Sequence, residues 1–223
     1  MSMLISPEKS DRQLQSDVLK EMNWDCSVTA DALTVTADRG IITLRGSVPH
    51  YIQKKRAQDA AERVKGTRAV VNEIEVSVMA SHERSDQDIA RAAVNSLEWN
   101  CSAPNGIQVE VESGCVTLRG EVEWDFQRQV AEDAVSPLKG LSGVENLITI
   151  RRRELSTDVK SRIEEALKRS AENESHKIVV SAEGDRVTLS GQVATFAELR
   201  DARIAAWSAP GVGFVQNDLT IAA

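Results

Sequence analysis

The sequence predicts an α+β protein of three tandem αββαβ repeats, each a small three-stranded sheet covered on one face by two helices. The first observation is a sequence motif that recurs three times with small changes, as GIITLRGSV, GCVTLRGEV and DRVTLSGQV. The second is a glycine followed by an asparagine at the same spacing in every copy, as Gly46 and Asn72, Gly120 and Asn146, and Gly191 and Asn217. Because the segment from the glycine to the asparagine aligns without a gap in all three copies, the chain is predicted to be a triple repeat with a period of about 70 residues.

Alternating apolar residues on both sides of a short turn predict a hairpin with one buried face in every copy. These residues are Leu33, Val35, Ile42, Leu44 and Val48, then Ile107, Val109, Val116, Leu118 and Val122, then Ile178, Val180, Val187, Leu189 and Val193. The turns ADRG, ESG and EGD are rich in residues that tolerate left-handed backbone. We therefore predict the first two strands of each sheet here.

Helices are predicted on both sides of each hairpin. Ahead of it, apolar residues recur every fourth position, at Leu14, Val18 and Met22, at Ile89, Ala93 and Leu97, and at Val159, Ile163 and Leu167. After it, an alanine-rich stripe lets a second helix lie close to the sheet. Gly66, Gly140 and Gly211 are predicted to end these second helices as C-terminal caps, before a last strand.

The glycine two residues before the last valine of this motif is predicted to have a structural role. It is Gly46, Gly120 and Gly191 in the three copies. It closes the second strand, where a side chain would need a positive φ or would collide with close-packed backbone. An exposed functional notch is the alternative. Trp24 and Trp99 occupy matching WDCS and WNCS contexts and are predicted to be core residues.

The repeats divide the chain as follows: a flexible N-terminal segment at 1–10, a first repeat at 11–79, a linker at 80–85, a second repeat at 86–150 and a third at 151–223. No apolar run is long enough to span a membrane, and the first residues lack the basic and apolar regions of a secretory signal. The expected location is cytoplasmic, or periplasmic if the start site lies upstream.

The three cysteines, Cys26, Cys101 and Cys115, are too few by one to pair completely in disulfides. We predict that they are small buried apolar residues in a reducing compartment.

The order TLRGSV, an alanine-faced helix and then KG…VVNEIEV resembles the BON-domain family of bacterial proteins, over essentially the whole chain past residue 10. The resemblance implies the αββαβ fold and a non-enzymatic binding or adaptor role. It also implies peripheral phospholipid binding in a protein linked to osmotic stress or the cell envelope. Many relatives enter the periplasm behind a signal peptide, and the start of this chain departs from that pattern.

Charge is distributed unevenly along the chain, which has a net charge of −7. The second repeat carries 4 basic and 11 acidic residues, whereas the first and third are balanced. Anionic lipid attracts basic residues, so the candidate lipid contacts are two basic runs: Lys54, Lys55 and Arg56, and Arg151, Arg152 and Arg153. Their alternative role is that of solvated surface.

Aromatic residues near the start of each second helix are candidate partner contacts: Tyr51, Trp124, Phe126 and Phe196. They would either grip an apolar segment of a partner or fasten the helix to its own sheet. Two further functions stay open. One is a soluble protein-interaction or chaperone-like module that uses sheet edges, and the other is a sensor of a small cation or metabolite.

An enzyme is not expected, because no nucleophile–base pair recurs and no phosphate-binding loop is present. The histidines at 50, 82 and 176 lack ligand spacing, so no catalytic residue, metal or cofactor is predicted. Nucleic acid is not an expected partner, because the pI is about 5.1 and no aromatic stacking motif lies among the basic residues.

Overall fold

The computed structural model describes residues 9–77, 84–100, 102–104, 106–151, 159–170 and 178–221, with the side chains of 168–170 excepted. Within them the chain forms three units, each with a helix, two strands, a second helix and a last strand. The predicted α+β class and the three αββαβ repeats are therefore confirmed. Most of the 1–10 segment and of the 80–85 linker lies outside the described residues, and the domain boundaries stay predictions.

The helices and strands have these bounds. The first repeat contains α1 (Asp11–Trp24), β1 (Leu33–Asp38), β2 (Ile41–Val48), α2 (Tyr51–Arg63) and β3 (Ala69–Val76). The second contains α3 (Asp86–Trp99), β4 (Gln108–Glu112), β5 (Cys115–Val122), α4 (Asp125–Val135) and β6 (Gly143–Ile150). The third contains α5 (Val159–Ser170), β7 (Val179–Glu183), β8 (Arg186–Val193), α6 (Phe196–Trp207) and β9 (Phe214–Ile221).

The same mixed sheet forms three times. In each, the second strand lies in the centre, antiparallel to the first and parallel to the last, so that the outer strands are β1 and β3, β4 and β6, and β7 and β9. Arg39 and Gly40 form the first hairpin turn with φ of 49° and 80°, and Ser113 and Gly114 form the second with 50° and 77°. Two consecutive left-handed residues match the twist of the strands that they join.

Each sheet buries one face beneath its own two helices. In β2, Ile42, Leu44 and Val48 are buried, whereas Ile41 and Arg45 point to the other face and are exposed. The buried apolar residues fall into three separate clusters, one for each repeat. Every repeat thus has its own hydrophobic core, which is the layered unit that the alternation predicts.

The recurring glycine and asparagine have distinct structural roles. Gly46 has a φ of +131°, and a Cβ there would collide with the carbonyl oxygen of Ala32, so the backbones approach too closely for a side chain. Asn72 Nδ2 donates to the carbonyl oxygen of Lys54 at 3.1 Å, and Asn72 Oδ1 accepts from the amide of Ile74. The asparagine therefore ties the last strand to the second helix, and Asn146 repeats both bonds in the second repeat.

One predicted detail is wrong. The second helices end at Arg63, Val135 and Trp207. Gly66, Gly140 and Gly211 lie beyond those ends, in the turns that lead to the last strands. Their φ values of 101°, 88° and 92° require left-handed backbone there. The glycines shape these turns and do not cap the helices.

Candidate functional site

The second helices of the three repeats, α2, α4 and α6, contact one another. Between the first and second repeats, Lys55 Nζ lies 2.8 Å from Glu132 Oε1 and 2.9 Å from Asp133 Oδ1. The Lys55 side chain is only 22% exposed. Burial alone would lower the pKa of Lys55, but hydrogen bonds to the two carboxylates outweigh burial and raise it. The Lys55 ammonium is thus paired with two carboxylates of the second repeat.

Tyr51 strengthens the same contact. It starts α2 in the first repeat, but its ring packs against the hydrophobic core of the second. Burial, followed by the nearby Glu132 carboxylate, raises the pKa of the Tyr51 phenol. We call the contacts made by Tyr51 and Lys55 the first junction. It combines apolar packing with a partly buried ion pair.

The other two contacts join the third repeat to its neighbours. Between α4 and α6, the guanidinium carbon of Arg128 lies 5.4 Å from the centroid of the Trp207 ring, within cation–π range. Between α6 and α2, a shallow groove is lined by Phe196, Ala197 and Arg200 on one side and by Asp59, Glu62 and Arg63 on the other. We call the α4–α6 contact the second junction and the α6–α2 contact the seam.

All three contacts have the same polarity. In each, the amino-terminal half of one second helix meets the carboxyl-terminal half of the next: α2 on α4, α4 on α6, and α6 on α2. A head-to-tail contact repeated around three units closes a ring. We call α2, α4 and α6 together the helix ring. The seam joins the third repeat to the first. Because these two repeats are not consecutive in the chain, no linker connects them directly.

The basic residues predicted to touch lipid have different surroundings. Lys55 is engaged in the first junction, which disfavours a lipid contact for it, whereas Arg56 is exposed. Arg151 is exposed, and its Nε lies 3.1 Å from Glu121 Oε2. Arg152 and Arg153 lie outside the described residues. The remaining residue of the first run, Lys54, is half-buried.

The four aromatic candidates do not form one surface. Tyr51 packs on the second core, and Phe196 packs on the third core beside the seam. Trp124 is half-buried at the start of α4. Phe126 is the most accessible of the four, with 58% of its surface exposed.

Two tryptophans that were expected in the core are instead almost fully exposed. Trp24 ends α1 with 87% exposure, and Trp99 ends α3 with 89%. The core face of α1 includes Met22. Because a helix turns about 100° per residue, Trp24 lies roughly 200° around from Met22. The same spacing separates Trp99 from Leu97, so helical phase was the signal that identifies both as surface residues.

The prediction for the cysteines is also wrong at two positions. Cys26 is exposed beside the end of α1, and Cys115 is half-buried on the uncovered face of its sheet. Burial, followed by the charges of Glu145 and Glu112, raises the pKa of the Cys115 thiol. Cys101 lies outside the described residues.

The family model of the BON domain matches three segments, residues 10–77, 85–152 and 156–223, which correspond to the three αββαβ units. The chain belongs to the BON-domain family. Its three BON domains in tandem confirm the family and the repeat predicted from the sequence. BON domains are generally non-catalytic binding domains, so the family supports a binding module at this coarse level.

Two solved structures are similar to this chain of BON domains. One is CdsD, a structural protein of the type III secretion system of Chlamydia trachomatis, at 15% identity and a TM-score of 0.26, with 93% of this chain and 91% of that chain covered. The other is the C-terminal domain of CdsD, also at 15% identity and 0.26, with 96% and 100% covered. No curated protein matches the chain.

The part of the BON chain that the structure describes holds no helix long and apolar enough to cross a membrane. Across the same residues, no group of three or more His, Cys, Asp and Glu side chains is arranged to hold a metal ion. Among the large apolar side chains that the structure describes, Trp24 and Trp99 are the most exposed.

Proposed function

We propose that this chain of BON domains is a peripheral phospholipid-binding module that docks through Trp24 and Trp99. The exposure of these two tryptophans carries the proposal. An indole is large and mainly apolar but carries one polar N–H group, and such rings concentrate at the boundary between membrane and water. A protein that leaves two of them in water gains free energy when they enter that boundary.

The equivalent positions of the tryptophans support joint action. Each ends the first helix of its domain, and the first junction holds the two domains together through Lys55 and Tyr51. Two anchors on one body bind a surface more tightly than either does alone, because the second binding event is intramolecular. Lys20 lies one helical turn before Trp24, and its ammonium, which is exposed although 3.7 Å from Asp17 Oδ1, would add a contact for a phosphate group.

Vesicle sedimentation tests this proposal. Vesicles of phosphatidylcholine with one quarter phosphatidylglycerol are expected to carry the protein into the pellet and to shift its tryptophan emission to shorter wavelength. The double variant Trp24→Ala/Trp99→Ala should lose binding, and each single variant should retain part of it. Phe126→Ala is the matched control, because it removes an exposed aromatic residue from α4 and leaves both anchors intact.

Charge reversal distinguishes the tryptophans from the basic runs. If the runs carry the attraction, Lys54→Glu/Arg56→Glu with Arg151→Glu should release the protein from anionic vesicles at low salt, while the tryptophan variants remain bound. Equal sedimentation of the wild-type protein with and without vesicles would exclude the phospholipid function.

A second candidate is a protein-binding module, which is favoured by the exposed Phe126 and by the outer strands of the three sheets. An extended segment of a partner can add to such an edge strand through main-chain hydrogen bonds. Loss of partner capture by Phe126→Ala, with vesicle binding unaffected, would support this candidate.

A further inference from the structure

The two exposed tryptophans lie at equivalent ends of their domains. At the start of α3, the Asp86 carboxylate accepts hydrogen bonds from the amides of Ser113 and Gly114, both at 2.9 Å, in the hairpin turn. Because α3 is 14 residues long and a helix rises about 1.5 Å per residue, Trp99 lies roughly 20 Å from that turn. The first domain repeats this arrangement. Both tryptophans therefore lie at the end of the domain away from the hairpin.

The helix ends that carry the tryptophans are electrically negative. Neither α1 nor α3 has a basic residue in its last turn. The last carbonyl groups of a helix have no partner within it, and together they carry about half a negative charge. Within the described part of the chain, no backbone amide donates to the carbonyl oxygens of Trp24 or Trp99. Each ring therefore lies beside free hydrogen-bond acceptors.

The charged side chains beside Trp24 have both signs. Arg63 Nε lies 2.8 Å from Glu21 Oε1, and Arg63 Nη2 lies 3.4 Å from Asp25 Oδ2, so these carboxylates already have a cation. Lys20 is exposed one turn before the ring. This end of the first domain thus combines an exposed cation with paired carboxylates, and it has no strong positive charge.

The surroundings of Trp99 are acidic. Glu98 is exposed directly before the ring. Ser96 Oγ donates to the carbonyl oxygen of Ala134 at 2.7 Å, which holds this end of α3 beside the two carboxylates of the first junction. The basic residue of α3, Arg91, lies two turns earlier in an ion pair of its own. The charge around this ring therefore favours a cationic group over an anionic one.

We propose that the tryptophan site selects a zwitterionic phospholipid with a primary ammonium, as in phosphatidylethanolamine, over an anionic phospholipid. This inference rests on the proposed function and names its lipid class. The ammonium supplies three N–H donors for Glu98 and for the carbonyl oxygens at the helix ends, and Lys20 meets the phosphate. An anionic headgroup such as phosphatidylglycerol brings no cation to these acceptors and is repelled by the net charge of −7.

Vesicles that differ in one headgroup test the selectivity. The host lipid is phosphatidylcholine, with one quarter of either phosphatidylethanolamine or phosphatidylglycerol, at physiological ionic strength. The protein should bind the phosphatidylethanolamine vesicles about fivefold more tightly, which is the effect of about one charge at the surface. Equal or tighter binding to the phosphatidylglycerol vesicles would overturn the inference and leave the phospholipid function intact. Absence of binding to both would exclude that function, and the inference with it.

Glu98→Lys tests whether the selectivity comes from the site. It places an ammonium beside Trp99 and should lower the ratio of the two affinities about fivefold, to near one. Glu112→Lys is the matched control, because it makes the same charge change in the same domain at the hairpin turn, roughly 20 Å from Trp99. That distance exceeds the Debye length of about 8 Å, so the control should keep the wild-type ratio. Equal effects of the two variants would mean that overall charge sets the preference, and the inference would be wrong.

Oligolysine tests a basic protein segment as the occupant instead. If this peptide shifts the tryptophan emission of the wild-type protein but not that of Trp24→Ala/Trp99→Ala, and phosphatidylethanolamine vesicles do neither, the site binds a basic segment and the inference is wrong. A shift with the vesicles alone supports the lipid.

Discussion

The first junction and the seam bring together the same halves of equivalent helices, but their side chains differ. Lys55 and Arg200 occupy equivalent positions in the repeat. Lys55 is bonded to two carboxylates, whereas Arg200 lines a groove. Tyr51 and Phe196 are also equivalent, and Tyr51 packs on the core of the neighbouring domain whereas Phe196 packs on its own. The repeat therefore preserves the docking geometry without preserving the docking chemistry.

This difference implies that the two contacts respond differently to the loss of their cation. Removal of Lys55 leaves two carboxylates without a partly buried cation, whereas removal of Arg200 leaves a groove that is open to solvent. The first junction should therefore be the more sensitive of the two to substitution of its cation. Local differences of this kind are measurable, because domains of one protein open with different free energies.

Tyr51→Ala should give the largest effect on this comparison. Removal of the ring takes apolar contact from the second core, and we expect a loss of about 2 kcal/mol, below the value for a fully buried aromatic residue because Tyr51 is only partly buried. Hydrogen–deuterium exchange resolved by domain should show faster exchange in the second domain as well as in the first. Phe196→Ala is the control and should affect mainly the third domain. Unchanged exchange in the second domain of Tyr51→Ala would contradict this packing.

Lys55→Ala should have the next largest effect. It leaves Glu132 and Asp133 without their cation, and we expect about 1–2 kcal/mol of destabilisation. The equivalent Arg200→Ala should cost less than about 0.5 kcal/mol. Because the pKa of Lys55 is raised in the folded protein, its stabilisation is fully present at neutral pH and is lost only as the pH rises through that value. Urea unfolding of both variants at neutral and alkaline pH tests the difference.

Equal destabilisation by Lys55→Ala and Arg200→Ala would mean that the two contacts have the same strength.

Arg128→Gln should have a smaller effect, of about 0.5–1 kcal/mol, because it removes the cation that lies over Trp207 together with the ion pair to Asp125 within α4. The loss should be confined to exchange in the third domain and to the surface of α4. Arg119→Gln is the control, because it removes an arginine from the same domain on its uncovered sheet face, where it pairs with Glu110. Similar effects of the two variants on the third domain would contradict the second junction.

The sequence alone predicts each BON domain well, because the determinants lie within it. Ile42 and Leu44 alternate with exposed residues along one strand, and Gly46 is required by an approach of backbone to Ala32. These constraints recur in every copy, so the pattern recurs too. The tryptophans are the exception, because Trp24 and Trp99 were predicted to be core residues from their matching WDCS and WNCS contexts and are exposed instead.

The helix ring could not be predicted in the same way. Lys55 belongs to a KKR run that has the pattern of a solvated surface, and its carboxylate partners lie in another repeat, more than 70 positions away. The equivalent position in the third repeat has different neighbours. Contacts between domains need not recur from copy to copy. The internal periodicity of the sequence therefore does not predict which residues of two domains meet.

Asp59→Asn should give the smallest effect and sharpen the view of the seam. Burial raises the pKa of Asp59, although Lys55, Arg56, Arg63 and Arg200 act in the opposite direction. The folded protein therefore binds a proton at Asp59 more readily than the unfolded chain, and this carboxyl makes the fold less stable as the pH rises through its raised pKa. Asp59→Asn should remove that penalty, flatten the change in melting temperature between acid and neutral pH, and raise the neutral value by about 1 °C. Scanning calorimetry across that range tests the sign. A lower melting temperature for Asp59→Asn at neutral pH would mean that attraction between the Asp59 carboxylate and the surrounding cations exceeds the cost of burying it. Charge would then stabilise the seam more than its open groove indicates.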